Sequence, residues 1–210
     1  MSKSPSLWVA LLLALASLAV LKVGALQMCG TGSCQALPLD ATILSTLHAM
    51  RSPALDSFFT IVTWAGSIYL LLPVAIGCAL FDKHATSYLH RWFVPVALCG
   101  IWLVVQSAKV LVARPRPALF DALITMPADA SYPSAHAAQI TAFACAWLLR
   151  PGYRAGVPVI CMLLVAVLTV ALSRPYLQVH YPSDVMYAMA ASALWVAALW
   201  SLRVTAKNNP

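Results

Sequence analysis

Three short stretches of this 210-residue chain hold the side chains best suited to phosphorus chemistry. The first is Lys109, six residues, then Arg116-Pro117; the second is Tyr132-Pro133-Ser134-Ala135-His136; the third is Ser173-Arg174, five residues, His180, three residues, Asp184. Lys109, Arg116 and Arg174 supply positive charge suited to a phosphate and to the equatorial oxygens of a phosphoryl-transfer transition state. A helix starting at Ser134, Ala135 and His136 adds backbone amides at its positive end, an anion site of its own. His180 with Asp184 has the pattern of an oriented nucleophile: the carboxylate accepts from one ring nitrogen, and the other attacks phosphorus. His136 is then the general acid on the leaving oxygen, and later activates the water that hydrolyses the phospho-histidine. The scheme needs no metal and no cofactor, because the cations compensate charge.

Each residue also has a plainer reading. Lys109 and Arg116 could snorkel to headgroups, Pro133-Ser134 could simply start a helix, His136 could be an interfacial histidine, and His180–Asp184 a structural pair. His136, His180 and Asp184 could instead bind a metal, which leaves the cations unexplained. The plain readings fail together, because all three clusters fall on one predicted membrane face. Arg114, two residues before Arg116, either contacts a second phosphate or headgroup or sits in the interface.

The elements that must position these groups are apolar. The chain is 62% hydrophobic and 9% charged, with mean hydropathy +0.84, against about 25% charged residues in an ordinary soluble domain. This excludes a disordered chain, a soluble enzyme with a charged surface and a polybasic nucleic-acid arm. Apolar runs cover about 7–26, 58–81, 92–112, 137–149, 157–172 and 185–202, so the expected fold is an all-α polytopic bundle of six spans forming one domain over 1–210. The fourth and fifth runs are short for a bilayer and rest partly on their polar flanks.

Sorting the cations places Lys3, Lys83, Arg91, Arg150, Arg154, Arg203 and Lys207 on the side of the N-terminus, and Lys22, Arg51, Lys109, Arg114, Arg116 and Arg174 on the other. Once the cations in or beside the proposed site are set apart, only Lys22 and Arg51 remain outside, a clear positive-inside pattern with both termini cytoplasmic. The first segment reads as a retained helix rather than a cleaved signal peptide. Between the first two spans, Asp40 to Arg51 reads as a short amphipathic helix on the membrane surface, capped by Asp40, with Ile43, Leu44, Leu47 and Met50 on one face. Its role is packing rather than substrate contact. Cys29 and Cys34 are either a small disulfide or two thiols, whereas Cys78, Cys99, Cys145 and Cys161 read as small core residues.

The three motifs, in this order and with these internal spacings, resemble the signature of the type 2 phosphatidic acid phosphatase (PAP2) superfamily, which also includes vanadium-dependent haloperoxidases and glucose-6-phosphatase. The resemblance covers most of the chain and implies six helices with the site at the outer surface. It implies phosphate binding by Lys109, Arg116, Ser134, Ala135 and Arg174, His136 as general acid, His180 as nucleophile and Asp184 as its partner. One departure stands out: the family's second motif usually has Gly where this chain has Ala135, harmless if the backbone there is helical and crowding if positive φ is required. The implied activity is metal-independent hydrolysis of a lipid phosphate in a bacterial inner membrane, on the periplasmic face. The implied substrates are undecaprenyl pyrophosphate, phosphatidylglycerol phosphate, phosphatidic acid or lipid A phosphates. A lipid phosphotransferase using the same residues and a non-catalytic phospholipid-binding or transport protein are the alternatives; the partners implied are the lipid phosphate and the bilayer, with no nucleic acid.

Overall fold

In hydrocarbon no water is available to an open amide or carbonyl, so each spanning segment must close its own hydrogen bonds, and the apolar runs become helices. The computed structural model describes residues 5–30, 32–82, 87–150 and 153–207, and all regular structure among them is helical. The elements are α1 (Pro5–Cys29), α2 (Pro38–Ala49), α3 (Pro53–Val62), a 3₁₀ turn (Thr63–Gly66), α4 (Ile68–Phe81), α5 (Tyr88–Arg91), α6 (Phe93–Val112), α7 (Ala135–Leu149), α8 (Val157–Tyr176) and α9 (Pro182–Lys207).

Four stretches are long and apolar enough to cross a membrane: Leu7–Cys29, Phe93–Val112, Val157–Tyr176 and Pro182–Leu202. The segment expected as one span over 58–81 is broken, with Pro53–Gly66 and Ile68–Phe81 meeting at 48°, and counts as a fifth crossing if taken together. The break has a local cause. Ser67 is extended (ψ 136°) and caps α4, its Oγ accepting from the Tyr69 N–H at 3.3 Å. The remaining expected span is α7, whose 15 residues reach only about 22 Å at 1.5 Å per residue. Nearly all of it is buried, from Ala137 through Ala144, and α6, α8, α9 and α4 pack around it. Its alanines let those neighbours come close, so the shortest of the expected spans is the axis of the core.

Long helix α1 lies along α9, where the buried Ser17 Oγ donates to the Ala191 carbonyl at 2.8 Å. Helix α2 packs on α8 and α9 through Leu44, which is fully buried, while Met50 lies outside the helix and exposed. Asp40 is not the cap of α2. Leu37 holds that position, and Asp40, in the first turn, accepts from the Leu37 N–H at 3.1 Å and is itself buried. Cys29 and Cys34 are joined as a disulfide. Contrary to expectation Cys99 and Cys161 are exposed on the outside of the bundle, and Cys78 and Cys145 are only half-buried; a thiol is apolar enough to face lipid. Lys3 and Lys83 lie outside the described residues.

Gly66 lets the 3₁₀ turn press against the start of α7. A Cβ there would stand 2.5 Å from Val170 Cγ1 and 3.0 Å from both Cβ and O of His136, whereas one on Gly77 would meet nothing within 4 Å. Gly66→Ala should therefore lower stability by about 1–3 kcal/mol through overpacking. Gly77→Ala, in mid-helix, should be neutral or stabilising by about 0.5–1 kcal/mol. Thermal midpoints of the two purified variants in one detergent test this contrast.

Candidate active site

Each motif ends a helix or begins one, and the three ends converge. Lys109 lies in the last turn of α6, which Ala113 closes in the left-handed region (φ 49°, ψ 36°), turning the chain so that Arg114 and Arg116 run back over the bundle. Arg174 lies in the last turn of α8, where its Nη1 donates to Thr63 Oγ1 at 2.6 Å. A second left-handed residue, the buried Gln178 (φ 60°), tightens the link from α8 to His180 and is held by its Nε2 donating to the Leu44 carbonyl at 3.0 Å. Asp184 follows in the first turn of α9 and His136 in the first turn of α7.

Together they enclose a cleft of about 200 Å³, lined by Lys109, Arg116, Arg174, His136, His180, Asp129, Ala135 and Gln139, with Ile68, Tyr69 and Trp102 on its apolar side. This volume suits a phosphate-sized head rather than a whole lipid. Arg116 spans the cleft. Its Nη1 donates to the Val179 carbonyl at 2.6 Å and stands 3.2 Å from His180 Nε2; its Nε donates to the Asp129 carbonyl at 2.9 Å and its Nη2 to Asp129 Oδ1 at 2.6 Å. A guanidinium can only donate, so His180 Nε2 is an acceptor and the ring's proton sits on Nδ1. Burial first, then the charges of Arg174, Arg116 and Lys109, hold this imidazole well below its ordinary pKa, which keeps it neutral.

The Nδ1 side differs in detail from expectation. His180 Nδ1 lies 3.6 Å from Asp184 Oδ2 and 3.5 Å from Ser131 Oγ, longer than a good hydrogen bond. Asp184 Oδ2 is already taken by the Ser131 hydroxyl at 2.5 Å and the Tyr181 N–H at 2.9 Å. Ser131 thus stands beside the histidine and its carboxylate, within reach of both. Asp129, on the loop over the cleft, bridges Arg116 and Lys109, with 3.1 Å to Lys109 Nζ. Burial alone would raise its pKa, but Lys109 and Arg116 outweigh that and hold the carboxyl below its ordinary value.

Two expectations require correction. Arg114 makes no headgroup contact: it is 1% exposed and wholly enclosed. Its Nη1 donates to Asp184 Oδ1 at 2.5 Å and Ser183 Oγ at 2.9 Å, its Nη2 to Asp40 Oδ2 at 3.2 Å and the Gln35 carbonyl at 2.9 Å, and its guanidinium lies 3.9 Å from the Tyr181 ring centroid. The Ser134 amide is likewise not free for an anion, since it donates to the Asp184 carbonyl at 3.2 Å. The Ser134 hydroxyl and Arg174 Nε, by contrast, are buried and find no hydrogen-bond partner among the described residues. Ala135 is the first residue of α7 and has no positive φ, so its methyl group costs the backbone nothing. Sequence reasoning missed Asp129, Ser131 and Thr63, and read Asp40 only as a cap; no spacing rule links Asp40 to Ser183, 143 residues away. Among the described residues no three His, Cys, Asp or Glu side chains gather to hold a metal ion.

The model of the PAP2 superfamily matches residues 91–208. A decaprenylphosphoryl-5-phosphoribose phosphatase of Mycobacterium tuberculosis is 41% identical over 144 residues, covering 59% of this chain and 75% of the relative. Among solved structures, a transmembrane PAP2-type phosphatidylglycerolphosphate phosphatase from Bacillus subtilis superposes with a TM-score of 0.71 at 19% identity, covering 96% of this chain and 97% of that one. LpxE of Aquifex aeolicus gives 0.66 at 23% identity over 80% and 96%. At these identities the structural matches speak for the fold.

Removing Arg114 would strand Asp40 and Asp184 without countercharge in the interior. Arg114→Ala is expected to cost about 3–5 kcal/mol of stability, and Arg114→Lys, which cannot span both carboxylates with a planar fork, a large part of it. Denaturation midpoints check this; a headgroup role would instead leave stability untouched and raise only KM.

Proposed function

Since the chain belongs to the PAP2 superfamily and is a phosphatase of that type, we propose that it hydrolyses a phosphomonoester or diphosphate on a membrane lipid through a phospho-histidine formed on His180. The observation that carries the reading is the neutral His180, its Nε2 lone pair turned into a cleft lined by Lys109, Arg116 and Arg174. Incoming phosphate oxygens draw Arg116 away from Nε2. Lys109 and Arg174 share those oxygens, and the unpartnered Ser134 hydroxyl and Arg174 Nε, with the first amides of α7, are suited to the rest. Nε2 then attacks phosphorus as the bond to the lipid oxygen breaks, and His136 delivers a proton to that oxygen. Water, losing its proton to His136, attacks the phospho-histidine, releases inorganic phosphate and returns Nε2 to its resting state. Asp184 and Ser131 face Nδ1–H and stabilise the positive charge that grows on the ring.

The setting follows the same logic. We read residues 1–210 as one domain crossing a bacterial inner membrane six times, α7 included, with both termini cytoplasmic and the cleft facing the periplasm. The cation distribution supports this, as does a disulfide at the end of α1 nearest the cleft, since such bonds persist in oxidising compartments. The lipid tail lies along the apolar side of the cleft, past Ile68, Tyr69 and Trp102 between α4 and α6. Among substrates, the 41% identical relative puts a phosphosugar on a polyprenyl carrier at the head of the panel, beside undecaprenyl pyrophosphate, phosphatidylglycerol phosphate, phosphatidic acid and lipid A phosphates.

Phosphate release from that panel by the purified protein, with His180→Ala as blank, tests the reading. His180→Ala should lose at least about 10³-fold in kcat while keeping its fold, and vanadate should inhibit the wild type whereas chelators should not. Turnover by His180→Ala near the wild-type rate removes the nucleophile assignment.

A further inference from the structure

Among the described residues, Asp129 is the one acidic side chain lining a cleft otherwise built for anions. Its carboxylate reaches Arg116 Nη2 at 2.6 Å and Lys109 Nζ at 3.1 Å, so it lies where two oxygens of a bound phosphate would lie. Burial separates it from the other carboxylates nearby. Asp40 and Asp184 are 2% and 0% exposed and locked by Arg114, whereas the side chain of Asp129 is 47% exposed, on a loop with water beyond it. Its own charge can turn out to water, while Lys109 and Arg116, 3% and 8% exposed, need another anion in its place.

We propose that Asp129 is a specificity-determining residue, an internal anion that substrate must displace and that admits only headgroups carrying more than one negative charge. The proposal rests on the reading of the cleft as a phosphate site. Charge matching carries it. With Asp129 in place, Lys109, Arg116 and Arg174 less one carboxylate leave a net charge of +2 facing the cleft beside the neutral His180. A phosphomonoester brings about −1.5 to −2 at neutral pH and three acceptor oxygens, and gains by exchanging with the carboxylate. A phosphodiester headgroup brings one charge and two free oxygens, no more than the carboxylate already supplies, so the exchange gains nothing. The bilayer around the protein is made largely of such diesters, at a local concentration far above that of any monoester. An intramolecular carboxylate, always present at high effective concentration, keeps them from occupying the cations.

The test compares wild type, Asp129→Asn and Asp129→Glu in micelles. Orthovanadate and inorganic phosphate are titrated as inhibitors and, independently of turnover, as stabilisers in thermal denaturation. Phosphatidylglycerol, a diester, is titrated at fixed micelle content against phosphatidylcholine. Asp129→Asn should bind vanadate and phosphate roughly five- to tenfold more tightly, as expected for loss of two partly exposed ion pairs. It should also become competitively inhibited by phosphatidylglycerol, while wild type and Asp129→Glu remain insensitive. Equal vanadate affinity and equal insensitivity to phosphatidylglycerol in all three proteins overturn the proposal and leave the phosphatase reading intact. A wild type that neither vanadate nor phosphate inhibits or stabilises overturns the phosphate-site reading, and this inference with it.

Discussion

The guanidinium of Arg114 is the contact on which the remaining site geometry depends. It lies between Asp184 and Asp40, drawing together the first turns of α9 and α2, and it also takes the Gln35 carbonyl beside the disulfide that closes the end of α1. Asp184 in turn holds Ser131 and the Tyr181 amide, and through its own carbonyl the Ser134 amide at the entry to α7. The two segments that bring His136 and His180 to the cleft are therefore referenced to one buried cation. A buried ion pair of this kind adds little net stability over an apolar core of equal volume. What it fixes is direction: neither carboxylate can turn without leaving a charge unpaired at low dielectric.

A second constraint acts across the cleft. Three cations brought together at the edge of a bilayer repel one another, and the structure answers without leaving them bare. Arg116 is spread over two carbonyls, a carboxylate and an imidazole nitrogen, Lys109 over the Ala130 carbonyl and Asp129, and Arg174 is tied to Thr63. The protein folds with most donors of these three cations satisfied by its own acceptors, Arg174 Nε being an exception. Most of those acceptors are neutral, which on the proposed function lets a phosphate with delocalised charge outcompete them.

How far this could be read from the chain depended on the distance over which each rule works. The helices were legible, because apolar runs and their ends are local. So were Lys109, Arg116, His136, Arg174 and His180, whose spacings hold within a turn or two and which all line the cleft. Three features were not. The break at Ser67 sits inside an unbroken apolar run and shows only in the close approach of Gly66 to His136. The burial of Arg114 depends on a carboxylate 74 residues away, which in sequence is simply an acidic residue near a helix start. Asp129 lies in a loop with no periodicity, and its meaning comes entirely from the two cations beneath it.

The aspartates also show why residue type underdetermines role. Asp40, Asp129 and Asp184 all pair with cations of the first motif. Two are sealed in, and a sealed carboxylate is a structural part, because releasing its cation strands both charges. The third is itself half-exposed, so it can turn out to water when another anion takes its place on the two buried cations. Solvent access alone thus divides chemically identical groups into fixed supports and a removable occupant. In a site whose substrate is itself an anion, that division decides which charges the substrate can replace: it can take the place of Asp129 on Lys109 and Arg116, but it has no route to the partners of Arg114.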